Sequence, residues 1–211
     1  MRPDRARMVE RQLRRRDIRD ARVLEAMRHV PRELFVPPEL RPRAYEDAAL
    51  PIGSGQTISQ PYMVAAICQA LELSGDERVL DVGAGSGYQA AVLAELADEV
   101  HTIERVPELA ERARASLTAA GYDRVEVHLG DGTLGLPEHA PFAAIAVAAA
   151  APRVPAALYE QLAPRGRMVV PVGNRYGQEL QLVVRSHEGP AVVRSVPCRF
   201  VPLVGAQGFD E

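Results

Sequence analysis

Residues 79–87 read Val79-Leu-Asp-Val-Gly-Ala-Gly-Ser-Gly87. A short apolar run enters a glycine-rich turn, and the residues after the turn, from Tyr88, carry a helical pattern. Glycines permit positive φ and let a ligand approach the backbone closely. In an open α/β sheet, ligands bind outside the carboxyl ends of the strands, where this turn falls. Working outward, Arg78–Val82 is a strand and Tyr88–Ala97 a helix, followed by a strand over Val100–Ile103 and a helix over Pro107–Ala120. Further strands fit Val125–Leu129, Phe142–Val147 and Arg167–Val172, with a helix over Val154–Leu162. This alternation predicts a doubly wound, parallel α/β sheet. No helix fits between Leu180–Arg185 and Ala191–Val196, so these two segments predict a C-terminal antiparallel hairpin. The expected sheet is seven-stranded and mostly parallel.

Upstream, Met8–Arg16 reads as a helix with Val9 and Leu13 on one side. A second helix fits Ala21–Val30, with Asp20 as N-cap and Pro31 as its stop. Residues 51–61, rich in glycine and hydroxyls, read as a loop. Pro61 then opens a helix that runs to about Leu71. The expected organisation is one domain over residues 1–211: an N-terminal helical and loop extension (1–60), a Rossmann-like core (61–172), and C-terminal strands and tail (173–211).

Composition narrows the chemistry. Hydrophobic residues at 47% and charged residues at 25% exclude a wholly disordered chain. A net charge of −3 gives no global attraction to nucleic acid or anionic membrane. All 25 basic residues are arginine, which excludes Schiff-base lysine chemistry and a P-loop lysine. Cys68 and Cys198 form no C-x-x-C pair, so a reducing, cytoplasmic setting is expected. No apolar run reaches the ~18 residues of a membrane span, and the charged N-terminus has no apolar segment behind it.

The glycine turn is G-x-G-x-G, because Tyr88 stands where a dinucleotide fingerprint needs its third glycine. Asp81 precedes the turn. Glu104 ends the next strand, where a carboxylate accepts hydrogen bonds from ribose hydroxyls. Asp131, in Gly130-Asp-Gly132 after the third strand, is either a plain turn aspartate or an acceptor for an adenine amino group. Together these positions look like the methyltransferase form of the fold, which binds S-adenosylmethionine. Thr57 and Ser59 have two readings. Either hydroxyl could cap the helix beginning at Pro61, or the pair could receive a carboxylate at a helix N-terminus.

Five segments carry a more specific resemblance: Gly55-Gln-Thr-Ile-Ser-Gln-Pro61, Val79–Gly87, Gly130-Asp-Gly-Thr-Leu-Gly135, Ala148-Ala-Ala-Ala-Pro152 and Arg199-Phe-Val-Pro-Leu203. They resemble the motifs of the protein-L-isoaspartate O-methyltransferase family over about Met8 to Gly208. The resemblance implies a class I methyltransferase fold. It also implies a protein-repair reaction, methyl transfer from S-adenosylmethionine to the free α-carboxylate of L-isoaspartyl residues, with S-adenosyl-L-homocysteine as product. The methyl ester then collapses to a succinimide that hydrolyses partly to normal aspartate. Ser59 is implied as the catalytic residue, with Thr57, Ile58, Gln60, Val201, Pro202 and Leu203 at the substrate. The implied cofactor set is Asp81, Gly83, Ala84, Gly85, Ser86, Gly87, Glu104, Arg105, Asp131 and Gly132. The chain departs from the family at Ala143, usually Asp, and at Ala148, usually Thr.

A carboxylate, with a reference pKa of about 4, is already a nucleophile at neutral pH. Methyl transfer to it needs positioning and exclusion of water rather than a strong base. Ser59 is therefore read as orienting the substrate carboxylate, and no G-x-S-x-G elbow surrounds it. The five histidines show no metal-ligand spacing, and no metal is expected. Three rivals stand beside this reading. The first is an RNA methyltransferase, prompted by nine arginines against four acids in the first 22 residues. The others are a non-catalytic S-adenosylmethionine-binding module and a dehydrogenase. Expected partners are isoaspartyl proteins and peptides, with no nucleic acid and no membrane, and the chain is expected to be a monomer.

Overall fold

The structure, a computed structural model, describes residues 3–174 and 176–210. Met1, Arg2 of the N-terminal arginines, Arg175 and Glu211 of the tail lie outside them.

The largely apolar run Arg78–Val82 (β3) is the third strand across a seven-stranded sheet. The other strands are Glu99–Glu104 (β4), Glu126–Leu129 (β5), Phe142–Val147 (β6), Leu162–Gly173 (β7), Gln178–Ser186 (β8) and Gly189–Cys198 (β9). The spatial order is β5-β4-β3-β6-β7-β8-β9. The first five in this order run parallel, and β8 and β9 add the expected antiparallel hairpin. A parallel strand covered on both faces must be apolar on both, and β3 shows this except at Asp81.

Alternation along the strands divides the core into two layers. Val79, Val100, Ala144, Ala146 and Val169 face one layer, packed under helices α2 (Ala21–His29), α3 (Pro61–Leu71), α4 (Tyr88–Ala94) and α5 (Pro107–Ala119). Leu80, Val82, Ile145, Val147, Met168 and Val170 face the other, with Leu158 of α6 (Ala156–Glu160). The N-terminal helix α1 (Pro3–Met8) continues as a π-helical stretch over Val9–Arg14, with Val9 and Leu13 fully buried. Asp20 caps α2 as expected, accepting from the amides of Arg22 and Val23.

Three expectations change. The 51–61 stretch is not a loop but a hairpin of Leu50–Gly53 (β1) and Gln56–Ile58 (β2). Its two-residue turn, Ser54-Gly55, has φ of 51° and 70°, the left-handed pair that hairpins favour, while Leu50, Ile52 and Ile58 point into the core. Helix α4 stops at Ala94 rather than Ala97. Helix α6 is cut to a little over one turn because β7 begins at Leu162, pairing there with Phe142.

Candidate functional site

Strand β3 has β4 on one side and β6 on the other, so the chain leaves its two central strands in opposite directions. This is the switch point where α/β sheets open a crevice. The glycine turn follows β3, and Ala148 follows β6 and donates its amide to Val82 O at 2.9 Å. Gly83, Gly85 and Gly87 have φ of 92°, 52° and 87°, which side chains with a Cβ rarely adopt. The turn is anchored from the next strand. Glu104, 6% exposed, accepts from Gly85 N at 2.9 Å through Oε2 and from Val106 N at 3.0 Å through Oε1.

A cleft enclosing about 830 Å³, partly open to solvent, runs over this turn. Its walls include Gly83, Ala84, Gly85, Ser86, Glu104, Arg105 and Gly132 of the expected cofactor set. Thr57, Ile58, Ser59, Val201, Pro202 and Leu203 of the expected substrate set also line it. A second lobe is lined by Ala49, Thr57, Ser59, Gln60, Met63, Ala148, Arg199, Phe200 and Val201. The two lobes share Thr57, Ser59, Ala148 and Val201.

The hairpin β1–β2 carries Thr57 and Ser59 to this junction. Neither hydroxyl caps α3: the N-cap is Gln60, and no side chain caps the first turn. The capping alternative therefore fails. From the other side, Val201–Leu203 is strapped to the chain after β6. Ala150 N donates to Val201 O at 2.8 Å and Leu203 N to Ala150 O at 2.7 Å. The side-chain amide of Gln178 holds Phe200 in place by both its N–H and its carbonyl.

Four expected residues do not line the first lobe. Asp81 is beneath the turn, not in the cleft wall. It is fully buried, accepting from Gln89 Nε2 and Thr102 Oγ1, each at 2.7 Å. Burial, with the neighbouring Glu104 carboxylate adding to it, pushes its pKa up to about 6 against these two hydrogen bonds. The reason is its place in β3: period-2 alternation turns it toward α4, away from the strand end. Gly87 is the left-handed N-cap of α4 and supports the turn from behind, with Leu117 and Ala113 O close to where a Cβ would stand. Asp131 also stands outside the lining. Its Oδ1 accepts from Thr133 N and Oγ1, and its Oδ2 accepts from Ala206 N at 2.8 Å. Burial acts to raise the Asp131 carboxyl, but these bonds, with the Arg105 charge adding to them, outweigh it and hold the group below its ordinary value. Gln60 lines the second lobe only, and its amide donates to Asp47.

The cleft also contains residues the sequence reading missed. Tyr88 and Gln89 open α4 directly behind the glycines, and Val106 follows Glu104 by two residues, so motif proximity could have found them. Val64, Ala149 and Val204 reach the cleft only through packing. Arg199, in the second lobe, was seen only as part of a motif. Three of the five histidines, read as structural from spacing, converge with Glu126 on one point. Their separations in sequence follow no ligand motif because parallel strand register brings them together.

A family model described as protein-L-isoaspartate(D-aspartate) O-methyltransferase matches residues 4–208. The chain is 55% identical over 206 residues to protein-L-isoaspartate O-methyltransferase 1 of Syntrophobacter fumaroxidans, covering 98% of this chain and 96% of that one. It is 57% identical over 204 residues to protein-L-isoaspartate O-methyltransferase 2 of Marinobacter nauticus, covering 96% and 93%. Among solved structures, a protein-L-isoaspartate O-methyltransferase superposes with a TM-score of 0.83 at 27% identity, over 97% of this chain and 67% of the other. A Plasmodium falciparum structure, described as a candidate β-aspartate methyltransferase in complex with S-adenosyl-L-homocysteine, shares the fold with a TM-score of 0.78 at 24% identity. That match covers 95% of this chain and 98% of the other.

Proposed function

The chain belongs to the protein-L-isoaspartate(D-aspartate) O-methyltransferase family, and on that premise we propose how its residues divide the work. The enzyme transfers a methyl group from S-adenosylmethionine to the free α-carboxylate of L-isoaspartyl residues in damaged proteins. The ester then passes through a succinimide back towards L-aspartyl, which makes the reaction one of repair.

The first lobe suits S-adenosylmethionine in the chemistry of its lining. Backbone without Cβ atoms at Gly83 and Gly85 leaves room for close approach, and a Cβ at Gly132 would sit only 2.8 Å from Val82 Cγ1. Glu104 supplies anionic acceptors to the hydroxyls of a ribose, and Ala84, Ser86, Arg105 and Gly132 complete the wall. When bound, the cofactor supplies an electrophilic methyl on a sulfonium. Asp81, Gly87 and Asp131 act one step back: they fix the turn, the start of α4 and the C-terminal segment.

The observation that carries this assignment is the junction of the two lobes at Thr57, Ser59, Ala148 and Val201. A carboxylate entering from the second lobe meets the first lobe only there. Ser59 donates a hydrogen bond that orients one carboxylate oxygen, leaving the other to attack, and no general base is required. Arg199 attracts the acidic substrate from the lobe wall. Ile58, Gln60, Pro202 and Leu203 shape the channel, and apolar Val201 helps to exclude water. Ala148 at the junction leaves the orienting hydroxyls to Thr57 and Ser59.

The N-terminal arginines support a protein substrate over RNA, because several are bonded within the fold. Arg5 pairs with Glu33 at 3.3 Å, Arg28 and Arg14 with Glu10, and Arg16 with Asp47. Arg22 donates to Leu73 O and Leu96 O. Among the described residues no helix is long and apolar enough to cross a membrane. The free thiols of Cys68 and Cys198 support a reducing, cytoplasmic setting. The whole chain acts as one methyltransferase unit and works as a monomer, since both lobes are built from a single copy.

The test is a methyl-label assay on an isoaspartyl peptide beside its normal aspartyl twin and ribosomal RNA. Label confined to the isoaspartyl peptide is expected. Label on RNA alone, or cofactor binding without ester formation, would defeat the reading.

A further inference from the structure

At the other end of the sheet from the cleft, three histidines and a glutamate meet. His101 lies in β4, in register with Glu126 of the parallel neighbour β5, and His128 follows Glu126 by two residues on the same face. His139 closes a 3₁₀ turn (Pro137–His139) just before β6, and Arg78 fixes that turn by donating to His139 O at 3.2 Å. His101 stands three residues before Glu104, about 10 Å of strand from the cofactor end.

The atoms converge as ligands do. His101 Nδ1 is 3.1 Å from His128 Nε2 and 3.6 Å from Glu126 Oε2, which is 3.8 Å from His128 Nε2. One ring nitrogen of His139 joins them, and all four ligand atoms lie within 4.8 Å of one another. A tetrahedral ion with bonds of about 2.0–2.1 Å separates its ligand atoms by about 3.3 Å, within the range of these three separations. The outer partners also fit. His101 Nε2 donates to Glu99 Oε1 at 2.7 Å, which leaves Nδ1 with its lone pair facing inward, and Glu99 is held by Arg78 at 2.7 Å. A carboxylate behind a histidine is how metal-bound imidazoles are oriented. His101 is 1% exposed, while the Glu126 side chain is 59% exposed and gives an ion an entry.

We propose that His101, His128, His139 and Glu126 form a divalent metal site of the zinc class that clips β4, β5 and the turn before β6 together. Three imidazoles favour zinc-like ions over calcium or magnesium, which take oxygen ligands. Four protein ligands close the coordination sphere, so the role is structural. On binding, the proton that His128 Nε2 shares with His101 Nδ1 moves to Nδ1 of the His128 ring, so the imidazole stays neutral and Nε2 is free to ligate.

The test titrates tag-free, chelator-stripped full-length protein with Zn²⁺ against a chromophoric competitor, and with Co²⁺ by absorption. One equivalent of Zn²⁺, a tetrahedral Co²⁺ spectrum and a Tm raised by metal and lowered again by chelator are expected. His128→Ala and His139→Ala should each weaken Zn²⁺ by about 10-fold or more, while His187→Ala leaves it unchanged. Methyl transfer, which does not use these side chains, reports that each variant is folded. Folded His128→Ala and His139→Ala proteins that bind Zn²⁺ as the parent does, or a parent without a 1:1 site, would overturn the proposal.

Discussion

The carboxylate of Asp131, just beyond β5, accepts the backbone amide of Ala206 at 2.8 Å, joining the third strand end of the cofactor half to the last turn of the chain. The fit is close: a Cβ on Gly205 would fall 2.1 Å from Asp131 Oδ1. Leu203 and Val204, immediately before this contact, line the cleft. Asp131, read from sequence as a turn aspartate or an adenine acceptor, holds the segment that walls the site.

Asp131→Ala removes the acceptor for Thr133 and Ala206 together. Stability should fall by about 1.5–3 kcal/mol, the range for hydrogen bonds to a charged group. Urea unfolding and hydrogen exchange at the 206 and 207 amides measure it. Because the Asp131 carboxyl is held below its ordinary 3.8, its contribution is present above that pH and is lost as pH falls through the lowered folded value. An exchange rate unchanged in the variant would separate Asp131 from the tail.

Ser59→Ala should lower kcat by about 10- to 100-fold, the kinetic equivalent of one hydrogen bond to a charged group. Calorimetry with S-adenosyl-L-homocysteine should show affinity within a few fold of the parent. A large loss of that affinity would make Ser59 a support of the cleft rather than a substrate contact.

Glu104→Ala should weaken S-adenosyl-L-homocysteine by about 1–3 kcal/mol, because it removes a ribose acceptor and also releases the Gly85 and Val106 amides. Glu104→Gln keeps one acceptor and should lose less. Equal affinity in all three proteins would place the ribose elsewhere.

Arg199→Gln should raise KM for an isoaspartyl peptide by about 5-fold, consistent with an exposed charge contact of ~1 kcal/mol, and high salt should shrink the difference. Affinity for S-adenosyl-L-homocysteine should not change. A kcat effect with constant KM would contradict the role in substrate capture.

Asp81→Asn tests the buried carboxyl under the glycine turn. Its folded pKa of about 6 lies above the ordinary 3.8, so the folded protein holds this proton more tightly than the unfolded chain. The associated stability is full below pH 3.8 and disappears as pH rises through 6. The asparagine amide avoids the charge, accepts from Thr102, and donates to Gln89 once that amide inverts. Relative to the parent, the variant should therefore gain about 2 kcal/mol between pH 4 and pH 7. Urea unfolding at the two pH values reads the difference, and a constant offset would mean that Asp81 titrates normally.

Local chemistry made much of the protein readable from sequence. Val79–Gly87 announced strand, turn and helix because glycine is needed where φ is positive. Asp20 and Pro31 bounded α2 because a cap and a missing N–H act within a few residues. Glu104 could be placed because a strand of known direction ends at the cofactor edge. The hairpin at Leu50–Ile58 was missed because its signal, three buried aliphatics in alternation, was interrupted by Pro51, Gly53 and the Ser54-Gly55 turn.

By itself the sequence determined the alternation of strands and helices, the glycine turn, and the family motifs at Thr57–Pro61 and Phe200–Leu203, because these depend on neighbours along the chain. Only the tertiary structure decided that β9 lies at the outer edge beside β8, that Asp81 faces inward while Glu104 faces the cleft, and that Asp131 grips Ala206. It alone brought His101, His128 and His139 to one point. Strand order, side-chain facing and long-range hydrogen bonds depend on which segments pair across the sheet, and that choice is made by burying apolar surface over the whole chain at once.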